Sequence, residues 1–600
     1  MKKIILLSIL AILFSTLLIA QSIGINNNTP DASAILDIKS STKGLLAPRM
    51  NSAQRVAIAT PANGLMLYDT DTKSFWFYNS TTWSNLSAAG STGWLLTGNS
   101  GTNPATNFIG TADAQPLRFR VNNLWAGEIH PTSGNLFLGL GAGQVNSSGL
   151  QNIGIGENSL SANTQGGGNT ANGYNALSSN TIGTVNTAIG YNALFNNSTG
   201  GQSVAIGRSA LFTQSFTNSG ISWSSYNTAV GYMALFSNEP VSTTTGVYNT
   251  AVGHSSLRFN TTGASNTAYG NASLNLNTTG NFNTAVGDMA LRSNTTASHN
   301  TAIGVNALNT QSYNNGGNAF ESGNVAVGYN ALYLNQPTST TNGRRNTAVG
   351  SYALQENSYG VENTAIGYGS LLKNTNGYAN TALGSGALNN NTFGVYNTAI
   401  GYNALTNNVG GSNNIAIGNG SGTVSFAPYI DNTIGIGNDD LLNGSSNQVL
   451  IGNLSMIRIG GHQNWGVYSD DRIKNTIVED VKGLDFILKL RPVTYHISSN
   501  AIRTISGNKE TPDFPGKYDV EKIKHSGFLA QEVEKAAKAT GYDFSGYTVP
   551  KNQNDLYTIR YAEFVVPLVK AVQEQQAIIK TLQQQMDLLM KRIDAAEKKQ

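Results

Sequence analysis

The chain has 600 residues, 36 of them basic and 33 acidic, for a net charge of +3, and it has no cysteine. This length calls for more than one compact unit, and the balanced charge excludes nucleic acid as an expected partner. Without thiols, an exported chain must rely on packing, repetition or oligomerisation for its stability.

At the N-terminus, Lys2-Lys3 precede an apolar run from Ile4 to Ala20 and the polar pair Gln21-Ser22. This predicts a secretory signal over residues 1–22, cleaved after Ala20 or Ser22, with an uncleaved membrane anchor as the alternative. No later stretch is apolar enough to span a bilayer, so no membrane span is expected once the signal is removed. Residues 23–134 read as a β-rich head segment. Within it Gly64-Leu65-Met66-Leu67-Tyr68 and Ser74-Phe75-Trp76-Phe77-Tyr78 flank the polar turn Asp69 to Lys73, a hairpin pattern. Its aromatics, with Trp83, either pack the hairpin or offer a sugar-binding surface. Arg118-Phe119-Arg120-Val121 alternates as a further short strand.

Only 15 charged residues fall between Asn135 and Leu454, a stretch built from Asn, Thr, Ser, Gly and Ala. Such a composition means disorder or a repeat, and periodicity decides. The motif Asn-Thr-Ala-(Ile/Val)-Gly ends at Gly156, Gly173, Gly190, Gly207, Gly231 and Gly253, in steps of 17, 17, 17, 24 and 22 residues. The same five steps recur from Gly253 to Gly350, and steps of 17 continue to Gly418. Disorder would not keep this register. In the unit Asn186 to Gln202, Thr187-Ala188-Ile189 reads as a short strand and Ala193-Leu194 opens a second apolar segment. Asn196 to Gly201 is turn chemistry. Two short strands and two turns per unit predict one coil of a β-solenoid over 135–454. Its core would be stacked Ile189-like and Leu194-like side chains, beside a ladder of Asn186-like amides. Units this rich in Gly and Asn make poor helices, and almost no aspartate is present to ligate calcium. So few apolar side chains per coil leave a single chain thinly cored, and three chains sharing an axis would bury more. The Asn-Thr-Ala-Ile-Gly units resemble the head repeats of trimeric autotransporter adhesins, a left-handed β-roll, although those heads usually use shorter units.

Residues 455–468 form a junction, after which charges return. Val565, Val572, Ile579, Met586 and Ile593 fall at heptad a, and Leu568, Gln575, Leu582, Leu589 and Ala596 at d. This predicts a coiled coil over 562–598 with Gln575 as a polar layer.

Four further segments occur in order: Ser469-Asp470-Asp471-Arg472-Ile473-Lys474, Leu490-Arg491-Pro492-Val493, Gly527-Phe528-Leu529-Ala530-Gln531-Glu532-Val533-Glu534, and Tyr561-Ala562-Glu563-Phe564 leading into the heptads. The arrangement resembles the endosialidase-type intramolecular chaperone of phage tail spikes and fibres, a self-cleaving peptidase domain, here residues 469–600. A proline that often follows the Gln-Glu-Val segment in relatives is replaced by Ala536-Ala537. The resemblance implies a homotrimer whose chaperone aligns three chains and is then cut off between Tyr468 and Ser469. It makes Ser469 the nucleophile and Lys474 its general base, with Asp470 and Arg472 supporting the loop through an ion pair. The alternative is a solvated turn in an uncut trimerisation cap. His462, His496 and His525 are too scattered for a metal site, and no metal or cofactor is expected.

The fold expected is therefore mainly β: an elongated trimeric β-solenoid of 17-residue repeats, with a C-terminal α+β chaperone domain ending in a coiled-coil helix. The function expected is a secreted, adhesive cell-surface fibre. Its ligand would be a surface glycan or a component of a host or neighbouring cell. Its only enzymology would be single-turnover autoproteolysis, with no external substrate. A prophage tail fibre carrying the same chaperone is the rival reading.

Overall fold

The computed structural model describes residues 22–86, 98–423, 425, 427–439, 442–462, 466–507 and 514–598. The secretory signal expected over 1–22 therefore lies outside the described residues, apart from Ser22. Among the described residues no helix is long and apolar enough to cross a membrane. Residues 1–112 and 113–600 form separate compact units.

In the first unit, strands Met66–Asp69 and Ser74–Tyr78 pair antiparallel around the expected polar turn, and Trp83–Asn85 extends the sheet. Asn51 caps the short helix Ser52–Val56 in a reciprocal capping box with Gln54. The buried Asp69 is the hub of the unit. It accepts from Arg55 Nε at 2.8 Å, from Ser52 Oγ at 2.9 Å and from the Asp71 and Thr72 backbone. Burial opposes ionisation of this carboxyl, but the converging donors, Arg55 first, outweigh it and hold the carboxyl far below the usual carboxylate range. The Arg55 guanidinium lies 3.6 Å from the Trp76 ring centroid, and Tyr78 meets Trp83 edge-on. These rings are engaged in packing the hairpin.

The second unit opens with an antiparallel meander, Leu117–Val121, Leu124–His130 and Asn135–Leu138. The last of these starts a parallel ladder that runs in register to Val449–Ile451. A representative rung pairs Thr187 with Val204, Ala188 with Ala205 and Ile189 with Ile206. Phe137 plugs the first coil, fully buried above Gly154, which has no side chain to obstruct it.

Two expectations for the coil are corrected. Each standard coil has one three-residue strand, not two. The segment after Gly190 is instead a chain of turns in which Asn192 and Leu194 adopt left-handed φ values of 55° and 52°. Left-handed leucine is unfavourable by roughly 1–2 kcal/mol, yet Leu194 is fully buried and its N–H donates to Ala210 of the next coil. The core is therefore Ala188 with Ala193 and Leu194, repeated coil after coil. Ile189 points outward and is 38 % exposed. The interior of a 17-residue coil is too narrow for more: Leu194-type side chains already fill the space opposite the strand, which leaves room for a methyl group at its centre. Alternation then sends both flanking residues out. Gly190 turns the corner at φ 132°, where an added Cβ would stand 2.6 Å from the Gly207 carbonyl oxygen.

The expected amide ladder is present, and a second one runs beside it. Asn186 Oδ1 accepts from Ser203 N, and its Nδ2 donates to Gly200 O at 2.9 Å. Asn197 Nδ2 donates to the same carbonyl and to Asn180 Oδ1 in the coil before. Buried amides are thus satisfied along and between coils. In the 24-residue units a glutamine replaces the second asparagine. Gln214 Nε2 reaches Asn197 Oδ1, and its Oε1 accepts from Asn227 and Asn238. Gln311 makes the same bridge to Asn294, Asn324 and Asn335. One extra methylene lets the column span the displaced turn.

Beyond the array, Phe486, Val533, Ala536, Ala537, Phe544 and Phe564 form a separate core. It is assembled from helices Leu484–Ile487 and Ala530–Thr540, the turn Tyr561–Phe564 and intervening loops. Ala536-Ala537, where relatives often carry a proline, continue the helix and are buried in this core. The chain ends in a 33-residue helix, Val565–Glu597.

Candidate active site

Ser469 lies in exposed chain at the end of the junction, and the preceding Val467 and Tyr468 are 89 % and 94 % exposed. The sequence that follows folds back on itself. Asp470 Oδ1 caps a single 3₁₀ turn, Asp471–Ile473, by accepting from Arg472 N at 2.9 Å. The Arg472 guanidinium returns to grip the same carboxylate with Nε at 2.9 Å and NH2 at 2.6 Å, a forked pair that holds the Asp470 carboxyl down to about 2. The turn reverses the chain, so Lys474 comes back over Ser469 with Nζ 2.8 Å from Oγ. The four residues singled out in the sequence are thus neighbours in one turn, Asp470 and Arg472 forming its clamp and Ser469 and Lys474 facing each other across it.

In this arrangement the ammonium donates to the hydroxyl. For Lys474 to act as a base the bond must run the other way, from Oγ–H to a neutral amine, and removal from water is what favours a neutral amine. Lys474 is exposed within its own chain, as are Ile473, Ile477 and Val478 beside it. Among the described residues no group of His, Asp or Glu is arranged to hold a metal.

The other segments noted in the sequence meet one another. Arg491 forms a forked pair with Glu532, NH2 to Oε1 at 2.5 Å. Tyr561 Oη accepts from Phe528 N at 3.0 Å, and Phe528 stacks on Phe564 at 5.4 Å. Glu574 of the long helix accepts from Leu484 N at 2.7 Å. That last contact had no signal in the sequence, because Glu574 sits at an ordinary polar heptad position.

Residues 469–542 match the family model "Chaperone of endosialidase", beginning at Ser469 itself. Residues 24–103 match a second model, "Phage tail like trimerisation region". No curated protein matches the chain. The chain therefore carries an endosialidase-type chaperone domain after its β-solenoid and a tail-type trimerisation region before it. Together the two matches support a trimeric protein of the phage tail-fibre type.

Proposed function

We propose that the C-terminal domain templates the trimer and then cuts itself away between Tyr468 and Ser469, leaving the array as the mature fibre. The observation that carries this reading is the 2.8 Å Lys474–Ser469 contact in a clamped turn at the first residue of the chaperone match. The Ser469 Oγ attacks the Tyr468 carbonyl carbon while Lys474 Nζ takes its proton. The Tyr468–Ser469 C–N bond breaks and the proton passes to the freed amine, leaving an ester between the Tyr468 acyl group and Oγ. Water then hydrolyses the ester to a Tyr468 carboxylate and restores the serine. Nucleophile and carbonyl are already neighbours in the chain, the proximity advantage a single-turnover reaction needs. Burial of the exposed turn by neighbouring chains supplies the neutral lysine, so that cutting follows assembly.

Intact-mass analysis of the expressed protein tests this. Wild type is expected as two pieces separated at Tyr468–Ser469, and Ser469→Ala and Lys474→Ala as whole chains that still sediment as trimers. The double variant should be no worse than either single one. Wild type that stays whole after folding overturns self-cleavage, and Ser469→Ala that is still cut assigns the cut to an outside protease.

The apolar run from Ile4 to Ala20 behind Lys2-Lys3 supports export, and an exported fibre would serve as an adhesin at the cell surface, with a glycan or a neighbouring cell's surface as ligand. The tail-type trimerisation match favours a second destination, a phage particle. The N-terminus of the mature protein separates them: loss of residues through Ala20 or Ser22 indicates export.

A further inference from the structure

Parallel sheets occur almost only where both faces are covered. In the array one face of the ladder is covered by the coil's own turns, and the other is bare. Its outer column holds Ile189, Ile206, Ile303, Ile366 and Ile400, 37–40 % exposed, with valines, Leu383, Tyr269 and Asn172 at other rungs, while the alanines one residue before those isoleucines are fully buried. Beside it runs a column of Thr and Val, as in Thr187 and Val204. From Ile153–Ile155 to Val449–Ile451 no rung places a charged residue on this face. The insertions also leave it intact, since the register passes unbroken through Ile206, Val230 and Val252 although the units between them are lengthened. An uncharged, mainly aliphatic strip of this extent on an exposed face marks an interface.

We infer that this strip is where the arrays of three copies meet, Ile-type residue against the same residue of its neighbours, with the insertions and the charged residues on the outside. The inference rests on the trimeric reading above and adds to it the face that is used. The occupant is a second copy of this chain for two reasons. The strip has no charge and, apart from Asn172 at one rung, no amide to recognise a glycan or an acidic partner, whereas aliphatic side chains fit their own kind. The chain also carries an assembly module on each side of the array, at 24–103 and 469–542. Chains joined there run parallel and level, so rung meets equal rung along a threefold axis and each contact is between identical residues.

The absence of cysteine allows a direct test. Ile366→Cys and Lys373→Cys place a single thiol at two exposed points of one coil, the first on the strip and the second on the turn. Each is made in the full Ser469→Ala chain and treated with an oxidant or a short bis-maleimide. The expected result is a linked dimer, approaching two thirds of the chains, for Ile366→Cys and none for Lys373→Cys. In parallel, Ile366→Asp with Ile400→Asp should destabilise the array, while Lys373→Asp leaves its melting unchanged. A trimer by sedimentation in which Ile366→Cys fails to link, or in which the paired aspartates change nothing, overturns the inference and leaves the trimeric reading standing. A monomer by sedimentation overturns both.

Discussion

A coil of the array buries an alanine pair and a leucine, and it takes the rest of its support from the coils on either side through backbone pairing and two amide columns. The domain after it gathers Phe486, Val533, Phe544 and Phe564, from segments far apart in sequence, into one closed core. The contrast lies in what each kind of region can specify. A stack of equal coils fixes register very well, because a slip would bring glycine corners, leucines and amides against the wrong partners. It fixes neither where folding starts nor how many chains take part, since every coil sees only its neighbours. The chaperone domain is unique at each position, so it can fix a starting point. It also leaves an unsatisfied surface: along the final helix only Pro567 and Ala571 are buried, while Val572, Leu582, Met586 and Leu589 are each more than half exposed. Copy number is expected to be set there.

Removing that surface should have the largest effect. A chain truncated before Tyr561 is expected to lose trimer formation and to aggregate or remain unfolded. A folded, soluble monomeric array in sedimentation would mean that the coils need no template.

The next test sets a single side chain against a whole coil. Phe486→Ala should cost the chaperone domain roughly 3–5 kcal/mol, measured by denaturation of the uncut Ser469→Ala chain. Deleting Asn363 to Ala379 should leave an array that melts within a few degrees of the original. Glu362 and Ala379 share the same left-handed conformation, with φ values of 59° and 52°, so the new junction reproduces the old one. Deleting eight residues from the same place should prevent folding. If both deletions are tolerated equally, the coils are not in the register described.

The smallest effect expected is the response to acid. The Asp470 carboxyl is held at about 2 by Arg472, below its ordinary value near 3.9. The ion pair therefore contributes at neutral and mildly acid pH and is lost as pH falls through about 2. Carbon NMR of Asp470 in the Ser469→Ala chain should report that low midpoint, and a midpoint near the ordinary value would mean that the turn is open in solution. The array's buried hydrogen bonds join amides, hydroxyls and carbonyls, none of which titrates in acid, so its melting should be nearly flat over the same range.

Much of this was legible in the residues. The 17-residue period gave the coil, and the asparagine at its fixed place gave one amide column. Four ordered segments gave the chaperone domain and drew attention to Ser469 and Lys474, which the structure brings into contact, and Arg491–Glu532 and Tyr561–Phe528 now explain why those segments occur together. The direction of the strand was not legible. Alternation says only that Thr187 and Ile189 lie opposite Ala188. Which side is inward depends on the width of the coil, and that width is set by left-handed turns at Asn192 and Leu194. Leucine is a poor residue for such a conformation, so propensity argues against it. Gln214 and Gln311 were visible as matching letters in the duplicated block, but their bridging role required knowing that the turn beside them is displaced.

The amide columns have a consequence for how the protein ages. Asparagine deamidates when the backbone nitrogen of the next residue attacks its side-chain carbonyl. At Asn186 that nitrogen belongs to Thr187, and it is occupied in donating to Ser203 O at 2.9 Å. The side-chain carbonyl is itself held by Ser203 N, and the whole group is buried. The same arrangement recurs at Asn169 and Asn380, where Thr170 and Thr381 donate to the following coil at 2.8 Å. An asparagine-rich surface segment would accumulate charge with time. Here the asparagines of this column are locked out of the reactive geometry by the same hydrogen bonds that hold the coils in register.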